Sequence, residues 1–136
     1  MIIATLIVLL FGGGTFDLNF IDDMKKGVKE YVIDAERQKD ILIDVKSTKK
    51  LITDFNKGRK SQFKTFKKLN ANRETSRDNF SDFFTILEQE REQYYADLAT
   101  ARVGLAGKIM ADEWQDIMKQ SAEAVEQRQQ KAQKKN

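Results

Sequence analysis

IDDMKKGVKEYVIDAERQKDILIDVKSTKKLI, residues 21–52, carries the pattern that decides the fold. Positions spaced alternately by three and four read Ile21, Met24, Val28, Tyr31, Ala35, Gln38, Leu42, Val45, Lys49 and Ile52, and eight of the ten are apolar. That is the a/d pattern of a helical seam, in which each apolar side chain returns to one face of the helix. Val32, Ile33, Ile41 and Ile43 widen the face beyond a strict seam, which favours packing against more than one neighbour. The stretch reads as one long first helix. Gln38 and Lys49 interrupt it, either as tolerated solvent-edge positions or as residues that set register.

Downstream, Asn56-Lys57-Gly58 is the first possible break, since glycine after a periodic run often caps a helix. The apolar pattern resumes at Phe63, Phe66 and Leu69, so a kink or a continuous helix is equally open. NANRETSR, residues 70–77, is the better turn: it is polar throughout, Thr75 with Asp78 fits a helix-start signal, and Ser76 is an alternative cap. A second seam then runs Phe80, Phe84, Leu87, Arg91, Tyr94, Leu98, Ala101, Leu105, with Gly104 and Gly107 near its end. Asp112 and Glu113 suit the first turn of a further helix, where the macrodipole favours acids. Trp114, Ile117, Met118 and Val125 give that helix a thin apolar stripe, and QRQQKAQKKN at 127–136 reads as a fraying basic tail. Proline is absent, which long helices tolerate and turn-rich β folds do not. The expected fold is all-α: an apolar foot at 1–16, then an antiparallel helical hairpin or small coiled-coil bundle over 17–126, then the tail.

The foot, MIIATLIVLLFGGGTF, is the only stretch without an ionisable side chain in a chain that is one-third charged. As a helix it would be about 24 Å long, short against a bilayer core of about 30 Å. A removed signal peptide would want a basic n-region and a small-residue cleavage site, of which only Gly12–Gly14 is a trace. A buried assembly segment is the third reading, because small residues let backbones approach. A short membrane anchor formed by Ile2, Ile3, Leu6, Ile7, Val8, Leu9, Leu10 and Phe11 is preferred. The expected location is therefore a membrane, taken as a bacterial inner membrane. Lys25, Lys26 and Lys29 lean the body towards the cytoplasmic side, although Asp17 comes first and the side stays open.

Chemistry is limited by what is missing. With no cysteine there is no disulfide, thiolate nucleophile or lipoprotein acylation site, and with no histidine the commonest metal ligand and neutral-pH base are gone. Asp112, Glu113 and Asp116 group on one turn and could hold a hard cation, but acids at a helix start explain them better. Gly12–Gly14 lacks the Lys-Ser/Thr of a phosphate loop. The chain reads as a non-enzyme with no cofactor and no small-molecule substrate.

Net charge of +3 hides segregation into blocks: −3 over 1–45, +9 over 46–77, −7 over 78–126 and +4 in the tail. The basic block, with Lys57, Arg59, Lys60, Lys64, Lys67 and Lys68 at its centre, is interleaved with Phe55, Phe63 and Phe66 and could bind nucleic acid. Folding against the acidic block is the preferred reading, followed by an acidic partner, nucleic acid and lipid headgroups. Lipid ranks last because on a straight first helix Lys46 lies about 45 Å beyond Phe16; a folded-back helix would remove that objection.

The run from Arg91 to Met118, with Leu98, Arg102, Leu105 and then ADEW at 111–114, resembles the last helices of small bacterial envelope proteins of the Spy-like, heavy-metal-resistance class. The likeness covers about a fifth of the chain, and that family's LTxxQ motif is missing. The resemblance implies a helical hairpin on a signal or anchor, acting outside the cytoplasm as a chaperone or stress sensor. The first functional expectation is different: a membrane-anchored helical scaffold that self-associates or binds another helical protein. Its seams would carry the contact, through Met24, Val28, Tyr31, Leu42, Val45, Ile52, Phe80, Phe84, Leu87 and Leu98. A basic nucleic-acid adaptor is the weakest alternative.

Overall fold

The computed structural model describes residues 14–135, which form four helices and no strand. These are α1 (Gly14–Tyr31), α2 (Ala35–Ala71), α3 (Arg77–Lys108) and α4 (Ala111–Lys134). The all-helical hairpin and small bundle expected from the seams is what the chain forms. The foot residues Ile2 to Phe11 lie outside the described residues. Among the described residues no helix is long and apolar enough to cross a membrane.

The single long first helix is corrected to two. α1 ends at Tyr31, and Asp34 caps α2 by accepting from the Arg37 backbone N–H at 2.7 Å. Gln38 Nε2 donates to the carbonyls of Lys29 (3.2 Å) and Val32 (2.9 Å), filling acceptors that the end of α1 leaves open. Ile33 turns outward in the bend, 93% exposed. Lys49, the other interruption, pairs with Asp22 of α1 at 2.8 Å. Both polar seam positions thus tie α1 to α2. The apolar period survives the bend because two antiparallel helices joined by a short turn can face one core in the same phase.

α2 runs unbroken through Gly58, where an added Cβ would meet nothing within 4 Å. Ser76 is the α3 cap: its Oγ accepts from the Asn79 backbone N–H at 3.1 Å, and Asn79 Oδ1 accepts from the Ser76 N–H. Thr75 instead donates to the Leu69 carbonyl at 2.7 Å. Residues 127–134 do not fray. α4 continues through them, and Arg128 forks onto the buried Asp23 carboxylate at 2.7 and 3.1 Å.

Packing places α1 against both α2 and α4, while α3 packs along α2. Val28, Val32, Ile41, Ile52 and Ile117 are the largest fully buried side chains, joined by Ile21, Met24, Val45, Leu105 and Ile109. Close approach of α1 to α4 depends on Gly27, since a Cβ there would stand 2.9 Å from the Ile117 methyl and 3.1 Å from its Cγ1. Gly27→Ala should therefore destabilise by about 1–3 kcal/mol through overpacking a stiff β-branched side chain. Gly58→Ala should stabilise by about 0.5–1 kcal/mol through helix propensity alone. Urea midpoints of the two variants should move in opposite directions; equal shifts would contradict this packing.

The register fixes the outline. Asp22 pairs with Lys49; eight residues back from Asp22 is Gly14 and eight on from Lys49 is Lys57. The start of α1 is therefore level with Lys57. Among the described residues, α2 and α3 continue past that level as a two-helix arm over 58–91. No residue between 53 and 93 is buried, so the arm holds itself by a half-open seam.

Candidate functional site

Two faces of the arm and one polar joint at the opposite end carry what chemistry the molecule offers. At the base of the arm, Phe55 stacks on Tyr94 with ring centroids 3.7 Å apart and planes at 2°. Towards the tip, Phe66 meets Phe80, Phe83 and Phe84 at 6.1–6.3 Å. Between these layers the seam turns polar: Gln62 donates to Glu90, Arg91 is half-buried, and Arg59 sits 5.9 Å from the Phe55 ring centroid. A coiled coil interrupted by polar residues gives up stability there and leaves its apolar flanks open. Phe63, Phe84, Ile86 and Tyr95 are accordingly 50–55% exposed.

The expected seam residues divide sharply. Met24, Val28, Val45 and Ile52 are buried in the core, and Tyr31 and Leu42 pack against it half-buried. Phe80, Leu87 and Leu98 are half-buried in the α2–α3 contact, and Phe84 is half open. The first seam is thus satisfied within the chain. Of the large apolar side chains left exposed, Phe63, Phe84 and Ile86 lie on the arm and Tyr95 at its base, while Ile33, Ile43, Val103 and Met110 lie outside it. Phe63, Ile86 and Tyr95 are omitted by the seam count.

The basic patch is a face of α2. Lys46, Lys50, Lys57, Lys64 and Lys68 fall within about 40° of one line along the helix, and Lys60 and Lys67 flank them. All seven are exposed. They lie opposite Phe55, Gln62 and Phe66, the side of α2 that meets α3. Among the described residues only Lys50 of these seven lysines is ion-paired, to Asp54 at 2.5 Å on its own helix, so none of the seven makes a direct ion pair with the acidic block. Lys67 Nζ sits 4.8 Å from the Phe63 ring centroid. Lys46 and Lys50, which belong to the +9 block, extend this face by the 3.6-residue spacing.

At the other end, Arg37 of α2 forks onto Glu113 of α4 at 2.5 and 2.8 Å and reaches the Lys108 carbonyl at 3.4 Å. The Arg37 hydrogen bonds hold the Glu113 carboxyl below its ordinary 4.5; burial opposes them, and the Met110 N–H adds to the lowering. Lys108, in the last turn of α3, sits between Asp44 (2.7 Å) and Asp40 (3.1 Å), whose hydrogen bonds push its pKa up. Glu113 therefore faces Arg37, not Asp112 and Asp116, and among the described residues no three acids gather as a metal site. Arg102 and Trp114, two residues of the Spy-like likeness, meet with the guanidinium 5.3 Å from the ring.

No family model, curated protein or solved structure matches the chain.

Proposed function

We propose that this chain is a non-catalytic, membrane-anchored scaffold whose two-helix arm is its binding element. One observation carries the reading. The four-helix end consumes Met24, Val28, Val45 and Ile52 in its own core, whereas the arm leaves Phe63, Phe84 and Ile86 half open, with Tyr95 half open at its base. Open aromatic side chains on a projecting element suit contact with a second protein, another copy included. Anchoring falls to residues 2–11, in a bacterial inner membrane, with burial that is hydrophobic and not ionic.

The full chain should stay with membranes through high salt and alkaline carbonate, and deletion of residues 1–13 should release a soluble helical body with α1 whole. Recovery of the intact chain in the soluble fraction without detergent would overturn anchoring. The released body should associate with itself or a partner through the arm, and Phe84→Ser with Tyr95→Ser should abolish that association while the melting temperature moves little. A second reading, an exported Spy-like holdase, draws on the same open apolar side chains. Suppression of client aggregation by the body, lost in that double variant, would favour it.

A further inference from the structure

We infer that the lysine face of α2 is a docking surface for an anionic lipid bilayer, acting together with the apolar N-terminal segment as a second membrane contact. The inference rests on the anchoring reading above and adds the partner of the basic face. Its physical origin is the bend at residues 32–34. On a straight first helix the lysines would stand tens of ångströms from the foot, beyond the ~8 Å over which charge acts at physiological salt. The bend folds α2 back along α1, and the Asp22–Lys49 pair fixes the register. The start of α1 is then level with Lys57 along the α2 axis.

The face itself suits a planar anionic surface. Lys46 to Lys68 spans about 33 Å of helix, and a near-straight row of ammonium groups meets a flat layer of headgroups along its whole length. Asp54, held by Lys50, is the one carboxylate within the row. Ile43, 57% exposed, continues the row beyond Lys46, and Phe63 borders it under Lys67. Lysine stems with apolar neighbours are the composition of an interfacial helix face. The apolar segment attaches the chain by hydrophobic burial, and a polybasic face adds a second, salt-sensitive contact with an anionic surface. A nucleic acid would use the charge but leave the apolar sequence of residues 2–11 without a role.

The test uses the purified full chain and vesicles of phosphatidylcholine alone or mixed with phosphatidylserine, read by co-sedimentation. Each lysine near an anionic surface is worth about a fivefold change in affinity, so Lys57→Gln, Lys64→Gln and Lys68→Gln together should weaken anionic-vesicle binding about 100-fold. The same triple variant should bind neutral vesicles as the wild type does, and its helical signal should be unchanged, because none of the three is ion-paired. Raising salt should erase the difference between the two vesicle types. Equal binding to neutral and anionic vesicles overturns the inference and leaves the anchor standing. Binding to anionic vesicles alone removes the anchor and keeps the lysine face. Binding to neither overturns both, and tighter binding to a single-stranded oligonucleotide than to anionic vesicles overturns the assignment to lipid.

Discussion

Val45→Asp should unfold the four-helix end. Val45 is 2% exposed and faces α1 from α2, within the cluster of Ile21, Met24, Val28, Ile41 and Ile52. Losing its burial costs about 1.5–3 kcal/mol, and an unpaired carboxylate in that apolar surrounding costs several kcal/mol more. The sum rivals the whole stability of a small domain, about 5–15 kcal/mol. Far-ultraviolet circular dichroism should show most helix lost at 25 °C, at every protein concentration. Phe84→Asp, on the half-open arm, should leave the four-helix end folded. A Val45→Asp variant that stays folded and merely dissociates into monomers would mean that the first seam joins two chains, contrary to the packing described here.

That contrast also explains how far the sequence could be read. A period of three and four reports that side chains share a face; it is silent on whether one helix or two supply them. Ile21 to Val28 and Ile41 to Ile52 keep one phase across the bend, so counting alone runs straight through Val32, Ile33 and Asp34. The local signal was Asp34 three residues before Arg37, a cap whose meaning depends on Gln38 closing the α1 carbonyls. The turn at 72–76 was easier, since polar residues there break the apolar period itself. Composition exposes the lysine block, but charge totals ignore direction: the lysine row of α2 points away from α3 and its acids. Bringing the start of α1 level with that block required the bend.

Arg37→Met should lower the melting temperature by several degrees near neutral pH, more than any exposed lysine substitution. Glu113 is 8% exposed, and without the guanidinium its carboxylate keeps only the Met110 N–H at 2.9 Å. Breaking one side of such a pair leaves a desolvated charge, which costs more than replacing both partners together. Arg37→Met with Glu113→Gln should accordingly recover part of the loss. The pH dependence has a definite sign. Arg37 holds the Glu113 pKa below 4.5, so the pair's contribution is present above the unfolded value and fades as pH falls through the lower, folded one. The gap in melting temperature between wild type and Arg37→Met should thus be flat from about pH 6 to 8 and narrow only below about pH 4.5. A gap unchanged into that acid range would show that Arg37 acts by packing its stem, or through the Lys108 carbonyl, and not through the Glu113 carboxylate.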